Sequence, residues 1–283
     1  MRKIKIVADS TCDLSEELIK KYDIGIVPLC IIMGDKSYFD GLDIMPDDIY
    51  RWADANRATP KTSAVTIEKT LEILRPIMAE YEDIIFFGIS SKMSTTCNIV
   101  SVLAENENYW GMHVIDSLNL STGIGLQIIK AAEMVKEGIA AETVVERIES
   151  DRHKVRASFV IDTLTYLARG GRCTTVTALL ANTLKLKPKI IVKNGEMSVD
   201  RKYRGSIQTV TMKYAHDLEK ELLTADHRRV FITHSGASEA VVNEIRKYLE
   251  SLKIFDEILE TRAGGVISSH CGPNTLGILY YMQ

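Results

Sequence analysis

The chain has no Cys-x-x-Cys pair and no His-Glu-x-x-His. Its five cysteines, Cys12, Cys30, Cys97, Cys173 and Cys271, lie far apart along 283 residues. That pattern gives no support to structural zinc or zincin chemistry, and it reads as reduced, mostly buried thiols in a cytoplasmic protein. Long apolar runs are missing as well, none reaching the length of a membrane span. The basic start Met1-Arg2-Lys3 leads into an apolar stretch too short for a secretory leader, and Asp9 and Asp13 follow at once. Neither sign of charge dominates. The 35 Lys+Arg against 38 Asp+Glu leave a net charge of −3, which argues against a basic nucleic-acid surface, so no nucleic-acid partner is expected. With 17 Gly and 6 Pro there is little room for a low-complexity linker.

Some motifs are absent too. The nucleophile-elbow pattern Gly-x-Ser-x-Gly does not occur. Gly170-Gly171-Arg172 lacks the lysine of a phosphate-cradling loop, and Gly123-Ile124-Gly125 has Ile128 where a dinucleotide fingerprint needs its third glycine. That glycine pair reads better as a helix start packed against a strand.

What is present is an ordinary globular composition, 46% hydrophobic and 26% charged. The length exceeds one typical core and implies two domains. In the first half, strands alternate with helices. Strands are expected at Lys3–Ala8, within Ile24–Met33, at Lys36–Phe39, Asp83–Ile89 and His113–Asp116. Helices are expected from Asp13-Leu-Ser-Glu16 to about Tyr22, from Pro46 to about Ala55, over Thr66–Tyr81, and from about Thr95 and Thr122. This alternation predicts a mostly parallel sheet covered on both faces, with ligands bound in loops at the carboxyl ends of its strands.

The second half reads as a mixed sheet with helices on one side. Arg156–Ile161, Pro188–Lys193, Glu196–Arg201, Val230–His234, Phe255–Thr261 and Leu276–Tyr281 are its strands. Asn194-Gly195 is a hairpin signal. Helices are expected at Leu164–Ala168, around Val176–Leu184, near Ile207–Leu223 and at Glu239–Ser251. The charged segment Glu149–Lys154 marks the boundary, giving domains 1–153 and 154–283.

Several Ser/Thr/Asp clusters fall where strands end: Asp9-Ser10-Thr11-Cys12-Asp13, Ser90 through Thr96, Asp116-Ser117 and Ser121-Thr122-Gly123. Each alone reads as helix capping. Together they bring hydroxyls and free backbone N–H groups to one sheet edge, a setting suited to a carboxylate or phosphate. A serine nucleophile would need a base, and His270, in the turn-rich segment Ser268–Asn274, is available for that role. Arg172 and Arg204 each suit an anion or a protein partner.

In their order, these motifs resemble one family along essentially the whole chain. The landmarks are Asp9-Ser10-Thr11-Cys12-Asp13-Leu14, Thr62-Ser63, Ile89-Ser90-Ser91-Lys92-Met93-Ser94-Thr95-Thr96, Val114-Ile115-Asp116-Ser117, Leu164 through Arg172, Lys187-Pro188, Lys202-Tyr203-Arg204 and His270-Cys271-Gly272-Pro273. They are similar to the DegV family, bacterial fatty-acid-binding proteins that include the carrier subunit of fatty acid kinase. The resemblance implies an N-terminal three-layer α/β/α domain with a parallel sheet and a C-terminal α/β domain with a mixed sheet. It implies one long-chain fatty acid in an apolar tunnel between them. Its carboxylate would be held by Thr62, Ser94 and Thr95 with His270 close by, and Ser63, Arg172 and Arg204 would contribute head-group or partner contacts.

On that reading the protein is a carrier, not an enzyme. It needs no cofactor beyond the bound fatty acid, and it presents the carboxyl group to a separate ATP-binding kinase subunit that makes the acyl phosphate for phospholipid metabolism. A transient membrane contact is compatible with this role. Neutral hydroxyls suit a group that must later be phosphorylated, because no lysine ion pair has to break first. The chain departs from the family pattern at Ala64-Val65, at Thr95, where a glycine is usual, and at Asn274. The alternatives are a serine hydrolase using Ser94 with His270, a subunit completing a kinase site, and an anion-sensing regulator.

Overall fold

The computed structural model describes residues 2–177 and 186–283. Strands β1 (Ile4–Asp9) and β2 (Gly25–Val27) lie in a parallel sheet. Strands β3 (Cys30–Met33), β4 (Lys36–Phe39) and β5 (Lys61–Ser63) form a small antiparallel one. Strands β6 (Asp83–Gly88) and β7 (Met112–Asp116) return to the first sheet, whose order is β2-β1-β6-β7. Between them run helices α1 (Glu16–Lys21), α2 (Pro46–Asn56), α3 (Ile67–Glu80), α4 (Thr96–Asn106), α5 (Thr122–Lys136) and α6 (Ala141–Asp151).

The strand sequences explain the layering. Side chains alternate across a sheet, so a strand buried on both faces reads as one apolar run. Val7, Ile84 and Phe86 face α3 and α4, packing with Leu74, Val100 and Leu103. Ile6, Ala8, Ile85 and Phe87 face the other way, toward Ile124 and Ile128 of α5 and Val144 and Ile148 of α6. Phe86 and Phe87 are fully buried neighbours on opposite faces, each contributing about 2–3 kcal/mol of burial. The result is the expected three-layer α/β/α arrangement.

The second half forms a six-stranded sheet from β8 (Val155–Val160), β9 (Leu186–Lys193), β10 (Glu196–Arg204), β11 (Ala225–His234), β12 (Glu257–Arg262) and β13 (Leu276–Met282), in the order β10-β9-β8-β13-β11-β12. The β11–β12 pair is parallel and the other pairs are antiparallel, so the sheet is mixed as expected. At the β9–β10 turn Asn194 and Gly195 both take positive φ, 52° and 81°, the backbone a tight two-residue hairpin needs. The helices here are α7 (Leu164–Gly170), α8 (Thr174–Thr177), α9 (Ile207–Asp217), α10 (Glu219–Leu222), α11 (Glu239–Ser251) and α12 (Gly265–Cys271).

The sheet is covered on both faces rather than on one as expected, and partly by helices of the second half itself: Ile267 and Cys271 of α12 share a wall with Phe159 and Leu279 on the face away from α9 and α11. Tyr214 of α9 and Ile245 of α11 pack on one face with Val230 and Ile278. The opposite face, with Ala157, Phe159 and Leu279, is covered by α5. Helix α5 therefore lies between two sheets, and eleven of its fifteen residues are buried, the mark of a helix with no solvent side.

Across the expected boundary Glu149–Lys154 the chain is regular, with α6 running through Asp151 and a 3-10 turn leading into β8. Four other expectations need correction. The run Ile24–Met33 divides around Pro28, which lacks the N–H that a continuous ladder would require. Ser15, not Asp13, caps α1, while Asp13 adopts a left-handed conformation with φ 51°. The run Ile207–Leu223 is two helices rather than one. His270 sits in the last turn of α12 rather than in a turn-rich loop. The helix expected around Val176–Leu184 falls mostly on residues outside those described. Among the described residues no helix is long and apolar enough to cross a membrane.

Candidate functional site

Loops at the carboxyl ends of the parallel strands meet α12 and the small β3–β4–β5 sheet around a cavity of about 300 Å³. Six of the seven residues singled out from the sequence line it. Thr62 and Ser63 come from β5, Ser94 and Thr95 from the loop after β6, Arg172 from the turn after α7, and His270 from α12. Arg204 does not. It is exposed at the far end of β10, opposite Leu186, so any role it has lies away from this cavity.

Thr62 and His270, 208 positions apart in the chain, are in direct contact. Thr62 Oγ1 lies 2.7 Å from His270 Nε2. The other ring nitrogen, Nδ1, is buried with no hydrogen-bond partner, because the ring is pressed against the backbone of Gly170. A Cβ at Gly170 would fall 2.2 Å from Nδ1, so glycine is required by this close approach. Burial pulls the imidazole down to about 4, and the nearby Arg172 charge acts in the same direction. His270 is therefore neutral at pH 7.

Neutrality fixes what the pair can do. With the proton on Nε2, His270 donates to Thr62 Oγ1 and leaves the threonine hydroxyl proton free to point at a ligand oxygen. Ser94 makes no hydrogen bond to the imidazole. Its Oγ lies 2.9 Å from Thr96 Oγ1 and accepts from Thr96 N at 3.3 Å. A nucleophile without its base, beside a histidine of depressed basicity, is not a hydrolase pair. Thr95 has φ −88° and ψ 7°, so its backbone does not require the glycine usual in the resembled pattern. Asn274 does take a left-handed φ of 61°, a conformation asparagine tolerates.

Away from these polar groups the cavity is walled by Leu29, Ile89, Met93, Met197 and Ile267. Leu120, Ile267 and Cys271 also line a second, narrow pocket of about 20 Å³ that runs deeper toward Phe159, Thr233 and Leu279. Its hydroxyls are already paired. Thr233 Oγ1 lies 2.6 Å from Thr122 Oγ1, Ser235 Oγ donates to the Gly272 carbonyl at 2.5 Å, and Thr275 Oγ1 donates to Cys271 O at 2.9 Å. With those hydroxyls satisfied the deep wall is largely apolar, its one unpaired polar atom among the described residues being His234 Nδ1. Polar mouth and apolar depth together suit an amphipathic ligand.

Sequence reasoning missed the groups that hold α12 in place. The Asp40 carboxylate accepts from Gly265 N at 2.7 Å, Val266 N at 3.3 Å and Ser10 Oγ at 2.9 Å. Asp13 accepts from Gly264 N at 2.8 Å and from the Ser121 hydroxyl. Two aspartate side chains from the first half thus take up the free N–H groups at the start of the helix whose last turn carries His270. Desolvation pushes Asp13 up to about 8 and raises Asp40, against the pull of these hydrogen bonds. Asp9 is buried beneath them at about 6, holding Ile89 N at 2.8 Å. The Gly264-Gly265 pair was the available signal, since a side chain at Gly265 would strike Ile31, Asp40 and Ile49. At the opposite end of the parallel sheet Asp83, His113 and Glu142 come within ligand reach of one another. Arg2 already holds Asp83 at 2.9 Å, so the group makes no case for a metal.

The family model described as "Uncharacterised protein, DegV family" matches residues 3–283. A DegV domain-containing protein of Clostridium perfringens is 32% identical over 280 residues, covering 99% of each chain. A fatty acid-binding protein of Thermotoga maritima is 30% identical over 283 residues, covering 97% of this chain and 96% of that one. A solved structure described as fatty acid binding by a DegV family protein from Thermus thermophilus superposes with a TM-score of 0.91 at 29% identity, covering 100% of both chains.

Proposed function

This chain belongs to the DegV family, and on that premise we propose that it binds a long-chain fatty acid between units 1–153 and 154–283. The carboxylate sits at the mouth against Thr62, Ser94 and Thr95, and the acyl chain runs past Leu120 and Ile267 toward Phe159. One observation carries the reading: a neutral Thr62–His270 pair at the polar end of a cavity that continues into a pocket whose hydroxyls are all turned to other partners. The fatty-acid binding named for the Thermotoga and Thermus proteins supports it.

The energetics are favourable. Each buried methylene contributes about 0.8 kcal/mol before ordering costs, so the chain supplies affinity while the hydroxyls orient the head group. Arg172 is exposed at the lip, its Nη1 bonded to Gly170 O at 2.7 Å, where it meets a head group or a partner without burying its charge. The neutral hydroxyls of Thr62, Ser94 and Thr95 hold the carboxylate with no buried ion pair to break, leaving an oxygen free to attack a phosphoryl group. The carrier therefore presents that oxygen to a separate ATP-binding kinase subunit, which forms the acyl phosphate used in phospholipid metabolism in the cytoplasm.

Native mass spectrometry of the purified protein, followed by extraction of the ligand, tests the binding. A co-purifying fatty acid is expected, and an empty protein that takes up no added oleate overturns the reading. Incubating the loaded carrier with a fatty acid kinase subunit and ATP tests presentation separately. Binding without acyl phosphate would leave a lipid carrier that serves another acceptor.

A further inference from the structure

We propose that Ser90 is a positioning residue for the carboxylate site, locking the loop that bears Ser94 and Thr95 to the tip of the β9–β10 hairpin; this rests on the fatty-acid reading above. Ser90 is fully buried and every polar group it has is used. Its Oγ donates to the Gly195 carbonyl at 2.7 Å and accepts from Lys92 N at 3.2 Å. Its N–H donates to Asn119 O at 2.9 Å, and its own carbonyl accepts from Met93 N at 2.8 Å and Ser94 N at 3.1 Å. Ser94 is thus placed one turn beyond a residue fixed on all sides.

The hairpin tip is built for this contact. Gly195, at φ 81°, approaches so closely that a Cβ would lie 2.5 Å from Ser90 Oγ. Two residues further on, Met197 lines the cavity, and its carbonyl accepts from Cys173 Sγ at 3.5 Å, while Val199 N donates to Thr175 Oγ1 at 3.1 Å. The hairpin therefore braces the loop of the first half against the segment that follows Arg172. The Ser90–Gly195 bond closes the brace.

A head-group comparison separates positioning from plain structural support. Oleate and oleyl alcohol share the acyl chain and differ in the group that Ser94 and Thr95 must meet. Affinities of delipidated wild type and Ser90→Ala for both probes, together with their melting temperatures, form the test. Ser90→Ala strands a buried carbonyl and N–H and frees the loop, so oleate affinity is expected to fall on the order of tenfold with oleyl alcohol unchanged. Gly195→Ala, which leaves the loop's sequence intact but sets a Cβ against Ser90 Oγ at a strained positive φ, is expected to melt lower, to give the same selective loss of oleate affinity, and to add nothing to that loss in Ser90→Ala. Equal losses for both probes, or an unchanged preference for oleate in both variants, overturn the proposal. A wild type that binds neither probe overturns the fatty-acid reading itself, and the proposal with it.

Discussion

Replacing Thr62 with valine removes one hydroxyl while keeping a β-branched side chain on β5, so the pairing of that strand with β3 should survive. Two consequences follow from the Thr62–His270 geometry. The bound carboxylate loses a donor; hydrogen bonds to charged groups are worth about 1.5–3 kcal/mol, so Kd for a fatty acid should rise roughly 10- to 100-fold. The imidazole, whose Nδ1 already has no partner, also loses its 2.7 Å contact at Nε2, leaving both ring nitrogens unsatisfied. An unsatisfied buried polar group costs about 1–3 kcal/mol, so the delipidated variant should melt several degrees lower. Displacement of a fluorescent fatty acid reads the first effect, and thermal unfolding of the ligand-free protein reads the second. A Kd within about twofold of wild type refutes the placement of the carboxylate. A normal Kd with a lowered melting temperature means that Thr62 serves only to satisfy His270.

Other perturbations probe the rest of the site. Asp40→Asn sets an amide NH₂ against an N–H at the start of α12; denaturant unfolding should show a loss of about 1–3 kcal/mol, and unchanged stability would mean that α12 does not need this carboxylate. Asp13, near 8 when folded against an ordinary 3.8, binds its proton more tightly in the native state. Its contribution is full below about pH 3.8 and is lost as the pH climbs through 8, so Asp13→Asn should lose less stability than wild type over that range in a pH series of unfolding curves. Parallel curves would refute the protonated form. Leu120→Phe fills the neck shared by the two pockets; oleate affinity should collapse while decanoate is retained, and equal losses for both would place the acyl chain elsewhere.

The parts of the fold that the sequence made legible are those whose signals are local. Ile6 through Ala8 and Ile84 through Phe87 are apolar on both faces, and the helices capped by Thr66, Ser206 and Ser238 begin where helices are expected. Helix α6 escaped because its apolar stripe is thin, Val144, Val145 and Ile148, while Glu142, Glu146, Arg147 and Glu149 surround it and look like a charged linker. His270 looked like a loop residue because Gly264-Gly265 and Gly272-Pro273 punctuate both sides of it. The helix of seven residues there has the N–H groups at its start accepted by Asp13 and Asp40, more than 220 positions away, a contact no local pattern announces.

The same distinction governs the site. Its polar end was legible because short motifs carry Thr62, Ser94 and His270 in order, whereas its depth was not, since Leu29, Leu120, Phe159, Met197 and Ile267 look like any other core residue. Arg204 shows the limit of motif order, for its neighbours along the chain gave no sign that β10 carries it away from the mouth. Asp13, Asp40 and Ser90 fix the elements that bear His270, Ser94 and Thr95, and each of these anchors is buried and hydrogen-bonded within the protein. The deep pocket, at about 20 Å³, is narrow, so an acyl chain that enters it must displace Leu120 or Ile267. On the proposed fatty-acid reading, head-group recognition rests on the hydrogen-bonded parts of the molecule and chain selection on packing that must yield, so substitutions at the two ends should separate into changes of head-group preference and changes of chain-length preference.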